Sequence, residues 1–217
     1  MLERLTNETG ARFHYISNPT DLTVENLIKL NPRYIFFPHW SHIIHAEIFQ
    51  KYECIIFHMT DLPYGRGGSP LQNLIARGIY ETKISALQCA SELDAGPVYM
   101  KRPLSLHGAA EEIYLRTSNI IEEMIVEIIK NPPNSTEQTG SPTYFKRRKP
   151  EEGNLLNSKT LEQAFDMIRM LDADGYPHAF INVGNFRLEF TRASRNADSI
   201  VTDVKITMQG KNMESNT

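Results

Sequence analysis

The chain has 217 residues, 41% of them apolar and 23% charged, with a net charge of −3. That length builds one domain, or a domain with an appendage, around a sizeable core. The charge balance gives no bulk attraction to nucleic acid or an acidic membrane, and no apolar run approaches the ~20 residues of a membrane span, so a cytoplasmic protein is expected.

Met1 to Thr9 reads as a helix ended by Gly10, and Arg12 to Ser17 as a strand. Thr20 to Leu30 reads as a short helix stopped by Asn31-Pro32, and Tyr34 to Phe37 as a buried strand broken by Pro38. A helical turn from Ala46 leads into a strand over Glu53–Phe57, which delivers His58 at its end. A loop with Leu62, Pro63, Gly65, Arg66, Gly67 and Gly68 follows, then a helix from Pro70. Strands are expected over Thr82–Cys89 and Pro97–Leu104, the second pairing back after the Asp94-Ala95-Gly96 turn. Strands alternating with short helices indicate an α/β fold with a doubly wound parallel sheet, in which ligands collect beyond the strand ends.

Ala109 to Lys130 reads as the longest helix, its buried stripe formed by Ile113, Thr117, Ile120, Ile121, Met124 and Ile128. Residues 1–131 are read as a core, 132–144 as a linker by composition, 145–209 as a small α+β subdomain and 210–217 as a frayed polar tail. In the subdomain, Thr160 and Gln163 suggest a capping box, and Gly184-Asn185 a hairpin turn between Ala179–Val183 and Phe186–Thr191.

Three groups of residues carry possible chemistry. His58 and Asp94 each follow a strand, and a carboxylate can hold an imidazole in one tautomer and stabilise its protonated form. His39, His42 and His45 recur at intervals of three, which suits loop residues near a site better than a metal set, so no metal is expected. The basic run Lys146–Lys149 is followed at once by Pro150-Glu151-Glu152 and reads first as a solvated face, with a nucleotide diphosphate rather than a nucleic-acid strand as the alternative ligand. Cys54 and Cys89 lie in apolar runs, as buried free thiols do.

The stretch from Tyr52 to Tyr99 resembles the catalytic core of the folate-dependent formyltransferases, through His58, Leu62-Pro63, Arg66-Gly67 and Asp94-Ala95-Gly96 in that order. The wording of the loop looks closest to sugar N-formyltransferases, and Phe37 to Ile44 looks like the family's loop against the folate. The resemblance implies a Rossmann-like core and formyl transfer from 10-formyltetrahydrofolate to an amine, with His58 as general base and Asp94 orienting it. It implies donor contacts from Trp40, Ser41, His42, Ile43, Leu93, Asp94, Ala95 and Gly96, and acceptor contacts from Thr60, Arg66, Gly67, Gly68 and Tyr176.

Two departures follow from that comparison. The family's Asn two positions before the histidine is Ile56 here, which leaves the oxyanion to protonated His58 or to Thr60, Gln72 or Asn73, or else implies a binding relative without turnover. The chain also opens inside the family's first helix, which implies a missing first strand or a rearranged sheet. The expected acceptor is a nucleotide-linked amino sugar, best a UDP-4-amino-4,6-dideoxy sugar of the pseudaminic-acid type. Initiator tRNA and water are the alternatives. Neither a nucleic-acid strand nor a membrane is an expected partner, and a homodimer is left open.

Overall fold

The computed structural model describes residues 2–209; the tail read as frayed lies outside the described residues. In chain order the strands are β1 (Tyr34–Phe37), β2 (Glu53–His58), β3 (Arg66–Gly67), β4 (Glu81–Gln88), β5 (Val98–Ser105), β6 (Tyr144–Phe145), β7 (Ala179–Val183), β8 (Phe186–Arg195) and β9 (Ile200–Met208). The α-helices are α1 (Leu2–Thr9), α2 (Val24–Leu30), α3 (Ala46–Phe49), α4 (Pro70–Ile75), α5 (Ala110–Lys130) and α6 (Leu161–Met170). Among them no helix is long and apolar enough to cross a membrane.

The chain forms two compact units. The first comprises residues 2–70, 81–105 and 115–146. Its main sheet has the order β1-β2-β4-β5. β1 and β2 run parallel, whereas β2–β4 and β4–β5 are antiparallel, so the sheet is mixed rather than parallel throughout. The glycine-rich loop and the single short helix α4 return the chain in the opposite sense, and the Asp94 turn reverses it again. Leu22, Leu27, Phe37, Ile48 and Cys54 close one core cluster against β1 and β2. A ladder of buried positions along α5 (Thr117, Ile121, Met124, Ile125 and Ile128) follows the helical repeat that the sequence shows.

Two local expectations are corrected. Arg12–Ser17 half-buries only Phe13 and Ile16 and has no strand partner, and without a ladder it stays irregular. Thr20–Leu30 divides into a 3-10 turn, Pro19–Asp21, and α2, because the Thr23 side chain accepts from the Asn26 N–H and caps the helix there.

The second unit comprises residues 71–80, 106–114 and 147–209. Thr160 caps α6 by accepting from the Gln163 N–H at 3.1 Å, and Gln163 Oε1 accepts from the Lys159 N–H at 2.8 Å. Buried Arg169 on α6 is held by Asp166 at 2.7 Å and by the carbonyls of Leu106 and Gly108. β7, β8 and β9 form an antiparallel sheet, with β7 and β8 joined across Gly184-Asn185 in the register that the turn sets.

In the first unit Asp61 accepts from Lys101 and lies 2.9 Å from Lys83 Nζ. Burial works to raise this carboxyl, but the bonds and charges of Lys101 and Lys83 outweigh it and hold it below the usual carboxylate range. A carboxyl lowered on folding stabilises above its unfolded pKa, near 3.9, and that contribution is lost as pH falls through the folded value. Asp61→Asn is therefore expected to lower the melting temperature at pH 7, by an amount equivalent to about 1 kcal/mol or less for this part-exposed pair. The difference from the parent protein should shrink as pH falls below the ordinary carboxylate range, which parallel thermal melts would check.

Candidate active site

β2 ends on His58, whose side chain is 8% exposed. Its register partner on β4 is Ser85, whose hydroxyl donates to the Thr60 carbonyl at 2.7 Å and fixes the path that leaves the strand. The chain then turns so that the Gly65 carbonyl lies 2.8 Å from His58 Nε2. A carbonyl only accepts, so Nε2 carries the proton, and the neutral ring presents its lone pair at Nδ1.

Nδ1 lies 3.6 Å from Asp94 Oδ2. That separation is too long for a direct hydrogen bond and short enough for the carboxylate to stabilise a proton arriving on Nδ1. Asp94 Oδ2 also accepts from the Gly67 N–H at 2.9 Å. The glycine-rich loop and the Asp94 turn therefore meet at one oxygen.

Close approach explains the glycines. Gly67 has φ 106, and a Cβ there would lie 2.4 Å from the Phe145 carbonyl oxygen. A Cβ on Gly96 would meet the Gln88 carbonyl oxygen at 1.9 Å. Asp94 has φ 53, a left-handed conformation that Asp tolerates better than most residues.

The loop is held from outside by the stretch that composition marks as a linker. Gly65 N–H donates to Thr143 Oγ1 at 2.7 Å, Arg66 N–H to the Thr143 carbonyl at 2.9 Å, and Gly68 N–H to the Phe145 carbonyl at 3.1 Å. β3 and β6 pair here in parallel. Arg66 is buried, and its guanidinium donates to Glu92 at 3.0 Å and to Gln138 at 3.0 and 3.2 Å. Gln138 in turn donates to the carbonyls of Asp94 and Gly96, and the Tyr144 hydroxyl donates to Glu92 at 2.9 Å.

His58, Asp94, Gly67 and the buried Arg66 thus belong to one network. Thr60 is fully buried, its hydroxyl 3.5 Å from the Gly65 carbonyl. Tyr176 belongs to the second unit, where its hydroxyl meets that of Tyr114 at 3.0 Å. In the loop after β1, Trp40 is half-buried and edge-on to Phe37 and His42, with ring centroids 5.5 and 5.4 Å away. Its indole N–H is buried without a partner among the described residues. Ser41, His42 and Ile43 are exposed, as is Leu93 beside Asp94. Ala95 and Gly96 complete the Asp94 turn, with Ala95 N–H donating to the Glu92 carbonyl at 3.3 Å.

Ile56 shares the side of β2 that carries His58, because strand side chains alternate, and it packs against Leu62, Leu87 and Val98. Of the alternative donors, Gln72 commits its amide to the Tyr114 hydroxyl and the Met170 carbonyl, and Asn73 accepts from Arg77. Burial pushes the Cys54 thiol up to about 12 and Cys89 to about 11, the latter with help from Asp94's charge, so neither is a ready nucleophile. Among the described residues no group of three or more His, Cys, Asp or Glu could hold a metal ion. Sequence reasoning missed Gln138, Thr143 and Glu92 as members of the network.

A family model described as the methionyl-tRNA formyltransferase C-terminal domain matches residues 150–207. The solved methionyl-tRNA formyltransferase from Clostridium thermocellum is 48% identical, with a TM-score of 0.91 over 95% of this chain and 92% of that one. HypX from Aquifex aeolicus, solved in complex with tetrahydrofolic acid, shares the fold at 21% identity and a TM-score of 0.66, over 88% of this chain and 35% of that one. A 4-N formyltransferase from Francisella tularensis does so at 15% identity and 0.63, over 83% and 87%. The chain spans between 46% and 60% of the length of curated methionyl-tRNA formyltransferases that it matches.

The overlap at Gly96 is with backbone, so no side chain can swing away to relieve it. Gly96→Ala is expected to destabilise the protein by about 2 kcal/mol or more. Gly78→Ala is the control for a helix-flanking glycine: it also has positive φ, at 69°, but a Cβ there meets nothing within 4 Å. Denaturant melts should show the larger loss at Gly96.

Proposed function

Because the chain belongs to the formyltransferase family, we propose that it is an N-formyltransferase that takes its one-carbon group from 10-formyltetrahydrofolate. The single observation that carries this reading is the pairing of a tautomer-fixed His58 with Asp94. The folate derivative supplies the formyl carbon. The acceptor amine attacks that carbon, and the proton it sheds passes to His58 Nδ1. Collapse of the tetrahedral adduct breaks the bond to the folate nitrogen, which leaves as N–H with the proton returned from His58. The products are the formamide and tetrahydrofolate, and atoms and charge balance.

Asp94 stabilises the transient imidazolium from 3.6 Å. Ile56 offers no donor to the oxyanion, so protonated His58 is the proposed electrostatic partner. On the donor side, the unpartnered Trp40 indole N–H and exposed Ile43 and Leu93 suit a ligand with a polar ring edge and an apolar body. Ser41, His42, Ala95 and Gly96 are proposed to complete that side, and Thr60 with the Arg66–Gly68 loop to form the acceptor side. The tetrahydrofolic acid complex of HypX supports the choice of donor.

For the acceptor we favour a nucleotide-linked amino sugar, best a UDP-4-amino-4,6-dideoxy sugar. Several basic groups of the second unit are paired with acids, as Arg187 with Glu189 and Arg192 with Asp203, and net charge is −3. That pairing suits a small acceptor better than a phosphate backbone, which calls for unneutralised cations. The second reading is initiator methionyl-tRNA, favoured by 48% identity to a methionyl-tRNA formyltransferase and by the family match at 150–207.

Tetrahydrofolate release measured with 10-formyltetrahydrofolate and each acceptor separates the readings. Turnover with the sugar nucleotide alone supports the first, and turnover with charged tRNA alone replaces it with the second. Binding without turnover by either means a non-catalytic relative, and formate release without any amine means a hydrolase. His58→Ala should abolish turnover. Asp94→Asn, which keeps an acceptor for Gly67, should reduce it by about 10²–10⁴-fold.

A further inference from the structure

Gln138 lies in the segment whose composition reads as a connector, yet its side chain meets the catalytic loop and the catalytic turn together. Its Nε2 donates to the Asp94 carbonyl at 2.8 Å and to the Gly96 carbonyl at 2.9 Å. Its Oε1 accepts from Arg66 Nη2 at 3.0 Å and Nε at 3.2 Å. A primary amide has two N–H donors and an oxygen with two lone pairs, and all four are used. Glutamate could accept from Arg66 but could not donate to the two carbonyls. An apolar side chain of similar size could do neither.

The turn needs such a clamp. Asp94 is held at φ 53, a conformation that is strained for a residue other than glycine and persists where surroundings over-determine it. Gln138 grips the carbonyls on both sides of Ala95. Arg66 ties the clamp to Glu92 on the approach to the turn, at 3.0 Å, and Arg66 immediately precedes Gly67, whose N–H meets the Asp94 carboxylate. The clamp therefore fixes both ends of the contact that aims Asp94 Oδ2 at His58.

We propose that Gln138 is a positioning residue for formyl transfer, acting through the Asp94 turn and touching none of the reacting atoms. Its effect on rate rests on the formyltransferase reading; its effect on the turn does not. The two can fail separately in one set of experiments.

The first measurement is the Gly67 amide in ¹⁵N-labelled protein, whose proton reports the bond to Asp94 Oδ2. Gln138→Leu and Gln138→Glu are expected to move this proton upfield and speed its exchange with solvent. The far amide of Ala164, which donates to the Thr160 carbonyl at 3.0 Å in the second unit, should stay in place as a control for the fold. A native Gly67 resonance in either folded variant overturns the proposal, whether or not the protein turns over any substrate. The glutamate variant keeps the contact to Arg66 and serves if the leucine variant does not fold.

The second measurement is a double-mutant cycle on the single-turnover rate. In the parent protein Gln138→Leu is expected to cost about 10²-fold, the scale of a misplacement near 1 Å. In the Asp94→Asn background the same change should cost little, because the group that it positions no longer carries charge. Equal costs in both backgrounds would make Gln138 merely structural and overturn the proposal. Absence of turnover in the parent protein would sink the formyltransferase reading instead and leave the Gly67 result to decide the clamp.

Discussion

The hydrogen bond from His58 Nε2 to the Gly65 carbonyl is the contact on which the rest of the site depends. It settles which ring nitrogen holds the proton, and so which one can receive another. The bond forms because the loop after β2 doubles back within seven residues. The other tautomer would offer Gly65 a lone pair and leave a carbonyl facing a nitrogen without a proton, a mismatch that costs about 1–3 kcal/mol for a buried group. The tautomer is therefore set by the backbone before any substrate arrives, and Asp94 meets the nitrogen that remains.

Backbone geometry dominates this site more than the number of polar side chains does. Gly65, Gly67 and Gly96 each let main chain come within a distance at which a Cβ would collide with Phe145 or Gln88. Those approaches carry amide hydrogens to Thr143 and to the Asp94 carboxylate. Packing and polarity are divided along β2 itself. Phe57 and Ile55 are buried on one side, and Ile56 and His58 share the other, so that an aliphatic side chain stands where the resemblance to relatives would put an amide. Ile56 leaves His58 as the titratable ring on that side of the strand, next to Asp94.

The strands and their ends were legible because short apolar runs bounded by Pro, Gly and Asp leave few choices. The bounds of Tyr34–Phe37, of which only Phe37 is fully buried, and the hairpin across Gly184-Asn185 are as the pattern reads. His58 and Asp94 stood out as polar residues placed where apolar runs stop. Arg12–Ser17 misled because β-favouring residues report a surface and not a partner; a strand exists only when another lies beside it. The direction of β4 was also hidden, since burial on both faces looks alike in parallel and antiparallel strands. Gln138 was least visible of all. Pro, Asn, Ser, Thr and Gly around it carry the composition of an open connector, and only the coordinates show the segment bonded to Val98, Asp94, Gly96 and Gly65.

The lateral partner of β3 has a consequence for how the protein comes to be. Gly65 waits for Thr143, 78 positions downstream, and Arg66 for Gln138, 72 positions downstream. During synthesis the imidazole and its loop leave the ribosome well before the residues that pin them. At roughly 5–20 residues per second, that leaves an interval of several seconds in which β2 can pair while its loop is still unmoored. The His58–Asp94 arrangement is thus completed late in the life of the nascent chain, by a stretch of sequence that contains neither residue.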